Sequence, residues 1–341
     1  DDLLYQLRED GDNRWLFVCQ AYDRQETDIV DEIFNREPDL MRTIQIKLRG
    51  TWNPVIYDTM SGEINACPAI ALGEQTHIDY ALSAHDSLLL LLSPGMPVQQ
   101  AEKERPPIGA VTSALLTDHV PITLSEPNVL LLDMGQYALD EGEWQAQEEL
   151  LRIDNKVRVE LGYPLKMDAV AQPWVDQEEH TAEHTLHLRF EIKSDIEILG
   201  PILALEDAAQ IRISVNGQEV PSHVTGWFVD HSIHTVELPA IPAGTNEIIL
   251  RIPYGSKTNV EWCYLLGDFG VRVEGRYARI VDSVRTLAFG DWTHQGLPFY
   301  AGNVTYHCNF HSAGERLAVE IPHYKNPVLS VSMDGIKQGN I

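Results

Sequence analysis

The sequence is short of basic residues. It has 25 Lys and Arg against 51 Asp and Glu, a formal net charge of −26. A surface of that sign repels phosphate backbones and anionic lipid, so neither nucleic acid nor a membrane is an expected partner. A neutral partner such as a glycan is compatible with it. Long apolar runs are also missing. The densest, Leu88 to Leu92, is far below the ~18 residues of a membrane-spanning helix. The opening Asp1-Asp2-Leu3-Leu4-Tyr5 has no basic region ahead of an apolar one, so no signal peptide is visible. Cysteine is scarce. Cys19, Cys67, Cys263 and Cys308 lack C-x-x-C spacing and read as unpaired thiols of a reducing compartment. The expected location is the cytoplasm, with secretion left open because the chain can begin in mid-protein. No cluster of ligands suggests a metal, and no P-loop or G-x-S-x-G elbow is present, so no cofactor is expected.

Helical patterning is nearly absent. The one convincing helix spans Ala146 to Leu161, where Leu150, Ile153, Val157 and Leu161 recur at three- and four-residue steps before Gly162 and Pro164. A (β/α)8 barrel needs eight strand–helix alternations, so this chain holds no such catalytic domain. Glycoside hydrolysis needs two positioned carboxyls. Glu148-Glu149 and Glu178-Glu179 read instead as solvated acids, and no catalytic residue is assigned. His180-Thr181-Ala182-Glu183-His184 matches a zinc-peptidase pattern that requires a helix. A strand pattern begins at once at Thr185, so it reads as a polar loop. Asn303-Val304-Thr305 is a glycosylation sequon that means little without a secretory context.

What the sequence does have is strands and turns. Residues 1–93 read as a β-sandwich, with Trp15 to Cys19, an alternating Ile44, Ile46 and Leu48, and Leu88 to Leu92 as strands. Residues 94–128, rich in proline, read as a linker, and 129–165 as a strand–helix connector. Residues 166–285 form a jelly-roll candidate. In it Leu186, Leu188, Phe190 and Ile192 alternate with polar residues, and so do Ile211, Ile213 and Val215. Asn216-Gly217 then favours positive φ at both positions of a tight hairpin. A returning strand, Ile248 to Ile252, closes at Pro253. Residues 286–341 read as an incomplete second sandwich, in which Ala301–Phe310 and Leu317–Ile321 start further strands. Thr305 to Phe310 followed by Val331 to Gly335 repeats His187 to Phe190 followed by Ile213 to Gly217 at nearly the same offset. Too few residues follow the second copy to finish its sheet. The expectation is a fragment, or a sandwich completed by strands from elsewhere.

Apolar strand, Val215-Asn216-Gly217, Gly226-Trp227-Phe228-Val229-Asp230 and Ala243-Gly244-Thr245-Asn246 in that order resemble the sugar-binding jelly-roll module of glycoside hydrolase family two. Glu261 to Gly270 and Gln295 to Gly302 resemble the C-terminal part of large α-L-rhamnosidase-like hydrolases. Thr51-Trp52, Pro54, Asp58-Thr59 and Gly62-Glu63 resemble the β-domain that follows the barrel in those enzymes. The resemblance implies an all-β chain of several β-sandwich domains, jelly-roll and galactose-binding-like, with one connecting helix. It implies a non-catalytic accessory portion that braces a barrel absent from this chain, in an enzyme acting on oligosaccharides such as α-L-rhamnosides.

Sugars stack on aromatic faces while short polar side chains take their hydroxyls. Trp227, Asp230, Trp262, Asp268, Trp292, Gln295, Tyr300 and Asn303 combine those types near loop and strand ends and are the carbohydrate-contact candidates. Packing between sandwiches is the plainer role for the aromatics, and a bond to a turn backbone for Asp230 and Asp268. Expected partners are carbohydrate and the missing barrel. Three rival readings stay open: a stand-alone carbohydrate-binding module, a structural interaction sandwich, and enzyme activity in this chain alone.

Overall fold

Successive side chains of a strand point to opposite faces, so an apolar residue at every second position puts one face into a core. In a computed structural model this rule organises the strands of the described residues. The described residues are 3–20, 42–59, 62–82, 86–98, 119–166, 181–310, 319, 321 and 328–340. They form an all-β fold with one α-helix among them. The chain divides into two compact units, Asp1–Val111 with Arg316–Ile341, and Thr112–Glu315.

The first unit contains β1 (Leu3–Asp10), β2 (Asn13–Gln20), β3 (Arg42–Arg49), β4 (Trp52–Tyr57), β5 (Ile64–Ala66), β6 (Ile70–Leu72), β7 (Gln75–Leu82) and β8 (Ser87–Pro94). Five strands pair in the order β1-β2-β8-β4-β5 and three in the order β3-β7-β6. Leu16, Val18, Leu88, Leu90 and Leu92 from the larger sheet share one core with Ile44, Ile78 and Leu82 from the smaller. This is a small sandwich. The strand read at Trp15 to Cys19 is buried on one face alone, since Phe17 is exposed between Leu16 and Val18.

In the second unit the strands are β9 (Val120–Leu124), β10 (Asn128–Leu132), β11 (Met134–Leu139), β12 (Gln145–Glu149), β13 (His184–Ser194), β14 (Ile202–Glu206), β15 (Arg212–Val215), β16 (Gln218–Val220), β17 (Val224–Phe228), β18 (Asp230–Glu237), β19 (Gly244–Tyr254), β20 (Cys263–Gly267), β21 (Gly270–Glu274), β22 (Tyr277–Val281), β23 (Thr286–Leu287) and β24 (Val304–Tyr306). One sheet runs β10-β20-β14-β18-β17. The other runs β12-β11-β13-β19-β15-β16, with β22 added beside β13 and β21 beside β22. Leu130, Leu203, Val236 and Leu265 from the first meet Leu186, Leu188, Phe190, Ile213 and Leu250 from the second in a single core. The spine is the antiparallel pair β13–β19, in register from His184↔Tyr254 to Ser194↔Gly244. β19 runs past Pro253, where the sequence places its end. Pro253 tolerates this position because the pairing of β19 with β15 ends at Arg251, so no ladder bond to β15 is lost there.

Three stretches differ from the sequence reading. Within 94–128, read as a linker, Val120–Leu124 is a strand that pairs with both β23 and β24; 99–118 lie outside the described residues. The connector at 129–165 is part of the sandwich itself, because β10 pairs with β20 and β11 with β13. The stretch 286–341 is divided between the two units. Its last part, β25 (Ser330–Met333) and β26 (Ile336–Asn340), is a hairpin belonging to the first. Most of Leu317–Ile321, read as a strand, lies outside the described residues. The turn chemistry of the repeat is nonetheless shared. Asn216 and Asp334 both have φ 50°, and Gly217 and Gly335 both have φ 79°. Positive φ at two successive positions is the turn that Asn-Gly and Asp-Gly favour.

The helix α1 (Leu150–Leu161) starts four residues later than its apolar spacing suggests, because Gln145–Glu149 pairs with β11. Glu149 sets the start by capping: its carboxylate accepts from the backbone N–H of Leu151 at 3.1 Å and of Arg152 at 3.0 Å. Gly162, at φ 72°, ends it. Leu150, Ile153 and Val157 are fully buried in the sandwich core, each contributing about 1.5–3 kcal/mol relative to exposure. A buried ion pair fixes the helix in place. Arg158 Nε donates to Asp154 Oδ2 at 2.9 Å, and its other nitrogens donate to the carbonyls of Ser256 and Thr258. Tyr254 donates its hydroxyl to Asp154 Oδ1 at 2.6 Å.

Candidate functional site

The eight sequence candidates fall in three places, all in the second unit. Trp292, Gln295, Tyr300 and Asn303 belong to the segment that β9 organises, and Asp268 is tied to it through Arg285. Leu287, Leu297 and Tyr300 form a small core there, with Ile122, Leu124, Trp292 and Tyr306 packed on it. Trp292 lies edge-on to Tyr300 at 6.5 Å. The Tyr300 hydroxyl donates to Glu126 Oε2 at 2.8 Å. The same carboxylate accepts from Asn303 twice, from the backbone N–H at 2.7 Å and from Nδ2 at 3.0 Å. Burial raises the Glu126 carboxyl, but these three donors together hold it below the usual range. Burial, and then the bond to Glu126, push Tyr300 up to about 12. A Cβ on Gly302 would meet the Glu126 carboxylate and the Tyr300 hydroxyl, so a larger residue there would have to displace one of them.

Gln295 is tied up likewise. Its carbonyl accepts from Ala288 N–H at 2.8 Å and its amide donates to the Asp291 carbonyl at 3.0 Å, closing the loop from 288 to 295. Asp268 accepts from Arg285 at 2.5 Å. Buried Asn128 donates to the carbonyls of Phe269 and Gly296 and so clamps β20–β21 to this segment. Beside the clamp, between the β21–β22 hairpin and 282–296, lies an open cleft of about 410 Å³. Arg272, Asp282, Ser283, Arg285, Thr293 and His294 contribute to its lining.

Trp262 lies elsewhere. Its indole N–H donates to Glu149 Oε1 at 2.8 Å, the carboxylate that caps α1. It is a brace for the helix start. Trp227 and Asp230 sit at the tip joining β17 to β18, Trp227 on the edge strand of this unit's five-stranded sheet and Asp230 at the start of the next. Asp230 turns back on its own loop, accepting from Ser232 N–H at 2.8 Å and Oγ at 2.7 Å. Those bonds hold its carboxyl below the usual range. Trp227 is 53 % exposed, and its ring lies 4.3 Å from that of His231. His234, its cross-strand partner, has a buried Nδ1 without a hydrogen-bond partner among the described residues. Val229 takes φ 62° at the apex of the turn. For a β-branched residue this is a strained backbone.

No protein-family model matches the sequence, and no curated protein matches it. Among solved structures, the chain is similar to a rhamnosidase from Novosphingobium sp. PP1Y, with 14 % identity and a TM-score of 0.20, over 75 % of this chain and 21 % of that one. An α-xylosidase from Xanthomonas citri gives 12 % identity and a TM-score of 0.21, over 76 % and 29 %. An anti-sigma factor domain-containing protein gives 10 % and 0.16, over 84 % and 92 %. The chain thus spans about a fifth of the rhamnosidase. Likeness of this degree carries no argument about function, which rests on the residues.

Sequence reasoning missed Glu126, Asn128 and the Asp154–Arg158 pair. Glu126 and Asn128 stand in Ser125-Glu126-Pro127-Asn128, a turn signal whose long-range partners have no local signature. His184, at the end of the zinc-peptidase match, starts strand β13 and bonds Asp140 at 2.8 Å. It therefore offers no helix face for a metal; His180 lies outside the described residues. Among the described residues no helix is long and apolar enough to cross a membrane. All four cysteines are unpaired with one another. Burial pushes the Cys67 thiol up to about 11 and that of Cys263 up to about 12.

Proposed function

We propose that the chain is a non-catalytic, carbohydrate-contacting accessory portion of a glycoside hydrolase that acts on oligosaccharides, and that it braces a catalytic barrel. The observation that carries the reading is the β17–β18 tip. A half-exposed Trp227 lies over His231 on a strained turn, while nearly every other candidate is tied into the fold. Strain kept in an exposed turn is a reason to look for a role there. The sequence resemblance to a sugar-binding jelly roll points the same way. The bracing part rests on that resemblance and on half-buried Phe228, Ile233 and Tyr264, which give the five-stranded sheet an apolar outer face.

Calorimetry of the purified chain against neutral oligosaccharides, rhamnose-terminated ones included, tests this. Binding should weaken about tenfold or more in Trp227→Ala, the range reached when an aromatic anchor is truncated. Silence of the wild-type chain toward all of them would count against the glycan reading. Turnover of an aryl rhamnoside would overturn the non-catalytic one.

A further inference from the structure

The cleft beside the β21–β22 hairpin differs in charge from the rest of the chain. Acids outnumber Lys and Arg overall, 51 to 25. Yet of the four ionisable groups in the lining, Arg272, Arg285 and His294 are basic and Asp282 alone is acidic. Arg272 stands on β21, and Arg285 and His294 on the facing segment. A smaller adjoining recess of about 120 Å³ shares Arg272 and adds Lys193, Tyr277 and Arg279, with Glu274 as its one acid. Lys193 and Arg276 both lie within 5.5 Å of the half-exposed Tyr277 ring.

The arginines keep donors to spare. A guanidinium has five N–H groups. Arg285 gives one to Asp268 at 2.5 Å; Arg272 contacts Glu274 at 3.0 Å and Asp195 at 3.8 Å. All these side chains are well exposed, and exposed pairs of this kind add little to stability and exchange readily for a better-placed anion. Two closely packed glycines shape the cleft. A Cβ on Gly270 would strike the Asp282 carbonyl at 2.6 Å, and one on Gly296 would strike Val284 at 2.6 Å. The bond from Val271 N–H to the Gly296 carbonyl, 2.9 Å, joins the two walls. The volume is that of a small-ligand pocket.

We propose that this cleft takes a sugar bearing a carboxylate, with Arg272 and Arg285 on opposite walls receiving the acid group and the polar lining receiving the hydroxyls. This deepens the glycan reading and rests on it, but it assigns a second place on the molecule, distinct from Trp227. The probes are a galacturonate disaccharide and the matching neutral galactose disaccharide, titrated into the full chain at 20 and at about 200 mM salt, a range over which exposed charge contacts are progressively screened. The uronate is expected to bind about tenfold tighter at low salt, and the preference to shrink at high salt. Arg285→Gln and Arg272→Gln should each remove most of the preference without changing neutral-sugar binding or the unfolding midpoint. Equal affinity for the two probes, no uronate binding, or a preference untouched by both substitutions would overturn the proposal. Neutral binding that still depends on Trp227 would show that the broader reading survived such a failure.

Discussion

The Glu126–Tyr300–Asn303 latch and the β17–β18 tip are made of the same ingredients, an aromatic ring beside short polar side chains at the end of a strand. They differ in where the polar atoms point. In the latch every named donor finds Glu126 or a backbone carbonyl, and Tyr300 is 6 % exposed. At the tip Asp230 serves its own turn, and Trp227 stays in solvent over a strained backbone. Composition near a loop therefore does not distinguish a wall from a window. The count of atoms already bonded to the fold does. Substitutions at tied-in side chains should cost stability, and substitutions at the tip should cost binding.

The largest effect belongs to the most deeply tied pair. Arg158→Met leaves Asp154 buried without its cation, and should destabilise the second unit by about 3–5 kcal/mol. Urea unfolding followed by Trp fluorescence measures this. A loss below 1 kcal/mol would mean that the pair is not what fixes α1. In the latch, Tyr300→Phe removes a hydroxyl whose single proton lies between Glu126 and the Asn303 carbonyl, each 2.8 Å away. The expected cost is about 1–3 kcal/mol, the penalty for leaving such groups unsatisfied, with neutral-glycan affinity unchanged. A loss of affinity instead would return Tyr300 to the list of sugar contacts.

The same substitution sharpens the comparison through pH. Tyr300 has its proton affinity raised on folding, so its contribution is complete below the ordinary tyrosine range near pH 10 and is lost as pH climbs toward about 12. Glu126 is shifted the other way. Its contribution is present above its ordinary 4.5 and is lost as pH falls. The stability gap between wild type and Tyr300→Phe should thus be widest between about pH 5 and 10 and narrow on both sides. A gap independent of pH would remove Glu126 as the partner that matters.

Much of the fold was legible in advance because strand alternation and turn chemistry are local. Leu186 to Ile192 declare a face, and Asn216-Gly217 and Asp334-Gly335 declare turns with matching φ values. Other features depended on partners far along the chain. Val120–Leu124 reads as part of a linker until β23 and β24 supply its neighbours from about half the chain away. The start of α1 moved because Gln145–Glu149 found β11, a tertiary preference that overrode helical spacing. The site divided in the same manner. Trp227 was recognisable as an aromatic after a glycine, but nothing near Tyr300 announces Glu126, and the basic lining of the cleft emerges only once β21 faces the 282–296 segment.

The smallest effect tests the tip itself, and its sign is opposite to the rest. Val229 is 74 % exposed, so its side chain contributes little packing, while φ 62° places its Cβ against the backbone. That conformation costs an L-residue about 1–2 kcal/mol. Glycine relieves the cost, though it loses about 0.5–1 kcal/mol through the freedom it gains when unfolded. The strain is the larger of the two, so Val229→Gly should stabilise the second unit by a few tenths to about 1 kcal/mol. If the strained turn holds the Trp227 ring ready for a ligand, the same variant should bind neutral glycan more weakly than wild type despite its greater stability. A variant that is both less stable and equally good at binding would leave the tip with no reason to be strained.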